Sequence, residues 1–199
     1  METIRGKMSL VINGYKFRNL LAGYKHITLD LGTGDGRFVR TLAERHPERV
    51  SIGVDACREN LRENTRINLP NMLFIIACAQ ELPCEFEGLF SHVRINFPWG
   101  SLLKGLLACD TRLMHGLAAI VCPDAQIEIH LNGDALAKAG SKLENGAGII
   151  YENLNRCGWD LKPPHPMDQD VLKRFPTTWA RRLAHGRDPR VMILHGRRA

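Results

Sequence analysis

A short apolar run over 27–31 ends in three glycines at alternate positions, Gly32, Gly34 and Gly36. An amphipathic stretch follows, with Phe38, Val39, Leu42 and Ala43 on one face. This pattern predicts a strand, a tight turn and a helix. Further β-type runs fall at 50–54, 72–77, 91–97, 126–132 and 190–195. Helical periodicity falls between them: at 13–24 (Phe17, Leu20 and Leu21 on one face), at 57–67, after Ser101, at 149–157, and from Thr177 or Thr178 to His185. Residues 1–12 alternate loosely around Gly6 and Lys7 and predict a hairpin. Strands alternating with helices predict an α/β fold with a doubly wound, mostly parallel sheet. The length fits a single domain, 1–199, with 1–26 as an N-terminal extension and 27–199 as the core.

The glycine turn suggests a ligand. Glycines let the backbone reverse and let a bound molecule approach with no Cβ in the way. Asp30 stands two positions before Gly32, and Arg37 follows Gly36, so the spacing departs from the dinucleotide G-x-G-x-x-G. Asp-x-Gly-x-Gly-x-Gly resembles the first motif of class I S-adenosylmethionine (SAM) methyltransferases, a Rossmann-like fold. Asp55 lies 19 residues beyond Gly36, at the end of the next strand. It is placed to accept hydrogen bonds from ribose hydroxyls. The turn after the third strand, Cys78-Ala79-Gln80-Glu81, is where this class holds adenine, with Gln80 or Glu81 as side-chain acceptor. Asn96-Phe97-Pro98-Trp99 breaks the fourth strand, and Ser101 is placed to cap the next helix.

Charge changes the picture. The net charge is +6, from 27 Lys/Arg against 21 Asp/Glu. Residues 173–199 hold eight of the basic residues and one acid, Asp188, leaving 19 basic and 20 acidic residues elsewhere. A basic excess confined to one segment points to a polyanionic partner such as nucleic acid, or to a solvated basic helix. In the 57–67 stretch, Arg58, Arg62 and Arg66 recur every four residues. They form either a phosphate-facing ridge or an exposed face laced by Glu59–Arg62 and Glu63–Arg66 pairs. No apolar run reaches 18 residues, so no membrane span is expected, and nothing at the N-terminus suggests export. The six cysteines lack a C-x-x-C pair and the eight histidines lack ligand spacing. Reduced thiols, no metal and a cytoplasmic location are expected.

Pro98-Trp99-Gly100-Ser101-Leu102-Leu103 and Thr178-Trp179-Ala180-Arg181-Arg182-Leu183, with the glycine motif, resemble the aminoglycoside-resistance 16S rRNA methyltransferases of the Kam type. The resemblance spans nearly the whole chain. It implies methyl transfer from SAM to N1 of decoding-site adenine 1408 in the 30S subunit, by a monomer. It also implies that Gly32, Asp55, Ala79, Gln80, Pro98, Ser101 and Thr177 line the SAM pocket, with Asp30, Gly34 and Asn96 beside them. Trp99 and Trp179 would hold the flipped base, and Arg181, Arg182, Arg187 and Arg190 would join the Arg58, Arg62 and Arg66 stripe on RNA. Two departures stand out. The relatives carry Glu where Gln80 stands, and a longer basic linker where this chain has Asn68-Leu69-Pro70-Asn71. The alternatives are a methyltransferase of another rRNA or tRNA base, and a non-catalytic SAM-fold RNA-binding protein.

Overall fold

The computed structural model describes residues 1–6, 8–62 (residue 62 by its backbone alone), 66–186 and 188–199. Lys7 of the expected hairpin turn, the Glu63 pairing and Arg187 lie outside the described residues. The hairpin forms from β1 (Glu2–Arg5) and β2 (Met8–Val11), turning at Gly6 with φ 60°. Helix α1 (Gly14–Leu21) buries Phe17 and Leu21, while Leu20, expected on the same face, is 45% exposed.

The core opens as expected with β3 (Ile27–Leu31) and α2 (Arg37–Arg45), then runs β4 (Val50–Asp55), β5 (Met72–Ile76) and β6 (Phe90–Asn96) with no α-helix between them among the described residues, followed by α3 (Gly100–Ala108), α4 (Thr111–Ala119) and β7 (Val121–Asn132). Next come α5 (Gly133–Lys138), α6 (Leu143–Arg156), β8 (Trp159–Leu161), β9 (His165–Pro166), α7 (Gln169–Arg174), α8 (Thr178–Ala184) and β10 (Val191–Arg198). The sheet runs β2-β1-β5-β4-β3-β6-β7-β10-β8, with β9 also on β10. Strands β5, β4, β3, β6 and β7 are mutually parallel, and the flanking strands are antiparallel.

The stretch 57–67 departs from expectation. It holds a 3₁₀ turn, Asn60–Arg62, in place of a continuous α-helix. Asp55 Oδ1 accepts the Cys57 N–H at 2.8 Å and Asn60 Nδ2 at 3.2 Å. The chain then closes i→i+3 bonds from Asn60 N to Cys57 O and Leu61 N to Arg58 O. A side chain that captures nearby backbone donors competes with the helical ladder.

One large apolar cluster joins α1, α3, α4, α5 and α6 to the strands. A smaller one joins Val39 of α2 to Ile4, Leu61 and Phe74, and a third packs α7 and α8 on Phe97 and Val191. The strand order reverses between β3 and β6, and that switch point opens the crevice where such sheets bind ligands.

Candidate active site

The glycine turn is held from β4. The N–H groups of Gly32 and Thr33 donate to the Val54 carbonyl at 2.8 and 3.0 Å. Gly34 N–H donates to Asp55 Oδ2 at 2.8 Å. Gly34 has φ 59°, and a Cβ there would meet no atom within 4 Å, so the turn faces open space at that point. Gly36 is required for packing, since a Cβ on it would strike Phe74 at 2.5 Å. Asp30 is 2% exposed and accepts from Thr33 Oγ1 at 2.6 Å and Asn96 Nδ2 at 2.8 Å. Burial pushes its carboxyl up to about 6, against the pull of those two hydrogen bonds and of Arg94, and with a smaller push from Asp55.

Across the crevice β6 ends in a strained turn. Phe97 has φ 53°, uncommon for a bulky residue. Its N–H donates to the His130 carbonyl at 2.9 Å. Trp99, not Ser101, occupies the cap position of α3, and no side chain caps that end. Ser101 lies inside the first turn, because α3 starts one residue before it. Both threonines ahead of Trp179 are used. Thr177 Oγ1 accepts from Ala180 N at 2.9 Å and caps α8, while Thr178 Oγ1 donates to Asp35 Oδ2 at 2.5 Å. The second bond fastens α8 to the glycine turn and had no signature in the sequence.

Trp99 and Trp179 meet face to face, with ring centroids 5.0 Å apart and planes 25° apart. Lys138 Nζ sits 5.0 Å from the Trp99 ring centre and the Arg182 guanidinium 5.4 Å from that of Trp179. The Trp99 indole Nε1–H is buried with no hydrogen-bond partner among the described residues. These elements enclose a cleft of about 1070 Å³, ample for a nucleoside-sized cofactor.

The cleft brings together Asp30, Gly32, Gly34, Asp55, Ala79, Asn96, Pro98, Ser101 and Thr177, along with Trp99, Trp179, Arg181 and Arg182. Gln80 is absent from its lining. Its Oε1 accepts from Cys78 Sγ at 2.9 Å and its Nε2 donates to the Ser101 carbonyl at 3.4 Å. Glu81, the other expected acceptor, pairs with Arg112 at 3.2 Å. Arg58 is not in the lining either. It ion-pairs with Glu2 and donates to Ser9 Oγ at 2.9 Å, tying down the hairpin. Arg66 is exposed beside the hairpin turn, with its Cγ against Gly6. Arg190 is clasped by Asp188 through contacts of 2.6–3.1 Å. The Arg62 side chain lies outside the described residues.

A parallel sheet with an open glycine turn, an acid closing the next strand and a cleft at the switch point defines the S-adenosylmethionine-dependent methyltransferase class. The family model for NpmA, 16S rRNA (adenine(1408)-N(1))-methyltransferase, matches residues 2–198, and the chain belongs to that family. A 16S rRNA (adenine(1408)-N(1))-methyltransferase of Streptoalloteichus hindustanus is 29% identical, with 94% of each chain covered. One of Escherichia coli is 27% identical at the same coverage. The crystal structure of the 16S rRNA methyltransferase KamB superposes with a TM-score of 0.89 at 26% identity, covering both chains completely.

Proposed function

We propose that this protein methylates N1 of adenine 1408 of 16S rRNA within the small ribosomal subunit, and so confers aminoglycoside resistance. S-adenosylmethionine is its methyl donor. The cleft fits that molecule: Gly34 leaves room for close backbone approach, and Asp55 offers acceptor oxygens beside it. Asp55 already holds the Gly34 and Cys57 N–H groups. Oδ1 also takes Asn60 Nδ2, so the remaining lone pair, on Oδ2, is the one open to a ribose hydroxyl. With Gln80 turned toward Ser101, adenine recognition falls to the backbone at Cys78 and Ala79, both of which line the cleft.

The observation that carries the reading is the stacked Trp99–Trp179 pair on the cleft wall. Adenine N1 carries an in-plane lone pair that attacks a sulfonium methyl group directly, so no proton need be removed first. The enzyme's task is to position the base, and two indole faces do this by stacking. N1 methylation leaves the base cationic, and each indole face attracts a cation by about 0.5–2 kcal/mol. A base between them needs ring planes roughly 7 Å apart, two contacts of about 3.5 Å each. The rings stand 5.0 Å apart, so a flipped base has to spread them to enter. Primer extension on rRNA from cells expressing the protein tests the target. A strong stop at adenine 1408 supports the reading, and a stop elsewhere or none overturns it.

A further inference from the structure

A buried row of polar groups runs beneath the cleft and takes no part in the stacking chemistry. Asp30 Oδ1 accepts from Asn96 Nδ2 at 2.8 Å, Asn96 Oδ1 meets His130 Nδ1 at 2.8 Å, and His130 Nε2 meets Glu128 Oε1 at 3.1 Å. Glu128 pairs in turn with Arg94. His130 is 2% exposed and holds the β6 turn at two points and Phe175, which ends α7, at a third. Its carbonyl accepts the Phe97 N–H, its ring stacks on Phe97 at 5.9 Å, and Phe175 crosses its edge at 4.7 Å. Phe97 holds a backbone conformation that a bulky side chain takes only when its surroundings impose it. Trp99 is two residues further on.

We propose that His130 is a positioning residue for methyl transfer: it fixes the turn that carries Trp99 and, through the Asn96 amide, the carboxylate of Asp30. Hydrogen-bond direction shows how. Asn96 donates to Asp30, so its oxygen must accept, and His130 Nδ1 must carry a proton. Nε2 faces the Glu128 carboxylate and also wants a proton. The row is satisfied when one proton is held in it. In one form His130 is an imidazolium and Asp30 a carboxylate. In the other Asp30 holds the proton, the Asn96 amide is reversed, and Asn96 Nδ2 donates to a neutral His130. The same single proton appears in both, so charge balances. The groups bearing on the row are Arg94 from β6 and Asp55 from β4 around Asp30, and Glu128, Arg94 and His165 of β9 around His130. Burial disfavours the imidazolium and the Asp30 carboxylate alike, pushing the imidazole down and the Asp30 carboxyl up. His130 supplies the donor that makes the first form accessible, with the Asp30 carboxylate in the cleft.

This inference rests on the methyltransferase reading, and its test separates the two. His130→Phe keeps the aromatic packing and removes both ring nitrogens, while His130→Gln keeps a donor toward Asn96. SAM affinity by calorimetry, thermal unfolding of ligand-free protein and methyl transfer to 30S subunits are measured from about pH 6 to pH 8 for each. Losing a donor to a carboxylate favours its protonated form. His130→Phe is expected to lose SAM affinity by roughly three-fold more at pH 6 than at pH 8, and to lower turnover on 30S subunits about ten-fold. His130→Gln should recover most of both. Glu128→Gln, which leaves the core volume unchanged, should show the same pH-dependent loss in weaker form and decides the matter if His130→Phe does not fold. A uniform loss at every pH with no rescue by Gln, or wild-type behaviour in all three variants, overturns the proposal. Wild-type protein that binds SAM but leaves 30S subunits unmethylated overturns the substrate reading instead.

Discussion

Asp30 shows what a functional site costs the fold. The unfolded chain holds this proton with an ordinary value of 3.8, and the folded chain holds it more tightly, at about 6. Folding therefore takes up a proton between those values, and stability falls as pH rises from about 4 to about 6, staying lower above. The full gap corresponds to on the order of 3 kcal/mol at pH 8. Glu128 slopes the other way. Burial raises it, but the bond from His130 and the charge of Arg94 outweigh burial and bring it to about 2. Its stabilisation is present above 4.5 and lost as pH falls toward 2. Asp30→Asn should raise the melting temperature at pH 8 by about 2–8 °C and change it little at pH 4. The same substitution should weaken SAM binding. Equal melting shifts at both pH values would show that Asp30 carries no ionisation penalty. Trp179 trades differently. Base stacking is worth ~1–3 kcal/mol by alanine substitution. Trp179→Ala should thus lose roughly five- to hundred-fold in turnover on subunits under saturating SAM, with SAM affinity nearly intact. Trp179→Phe should keep partial activity, because ring area rather than the indole N–H does the stacking. Near wild-type turnover in a Trp99→Ala, Trp179→Ala double variant would remove the stacked pair from the reaction.

At the level of elements, α8 does two jobs. It presents Trp179, and its first residue fastens the helix to the glycine turn through Thr178 and Asp35. A hydrogen bond to a charged group is worth about 1.5–3 kcal/mol. Thr178→Val should therefore loosen the turn and weaken SAM binding by roughly ten- to hundred-fold, with Thr177 still capping the helix. A folded Thr178→Val protein with unchanged SAM affinity would make this bond incidental. The parallel strands were legible in the sequence because strands buried on both faces read as short apolar runs, and Ile27–Leu31 matched to the residue. The Asp30, Gly34 and Asp55 cluster was legible because its spacing follows from strand–turn–helix geometry. The 57–67 region misled because helical periodicity was present there, while the capture of Cys57 N–H by Asp55 depends on where β4 ends. Helices α4, α5 and α7 were not anticipated from the sequence, though Asp110, Asn132 and Asp168 do cap them. Long-range partners left no local trace. Nothing near Arg58 announces Glu2, and nothing near Asn96 announces His130.

For the molecule as a whole, the basic C-terminal segment is less uniform than its sequence. Lys173 pairs with Asp170 at 2.9 Å, and Arg190 is clasped by Asp188. Arg198 Nη1 donates to the carbonyls of Cys157 and Gly158 at 2.6 and 2.7 Å, with its guanidinium 5.8 Å from the Trp159 ring centre. Those cations close helix ends and loops. Arg181 and Arg182 instead line the cleft beside Trp179, where the phosphates flanking a flipped base would pass. Two kinds of arginine in one segment should separate cleanly in solution. Each phosphate contact contributes close to one unit to the salt slope of RNA affinity. Replacing Arg181 and Arg182 with Ala should weaken binding to 30S subunits and reduce that slope by about two, with the melting temperature and SAM affinity held. Arg198→Ala should do the opposite. It leaves the Cys157 carbonyl without its donor, at about 1–3 kcal/mol, while Gly158 keeps the Ala199 N–H, and it lowers the melting temperature by several degrees with the salt slope unchanged. A slope that falls equally in both variants would mean that the whole segment contacts RNA, and that Arg198 leaves its carbonyl partners on binding.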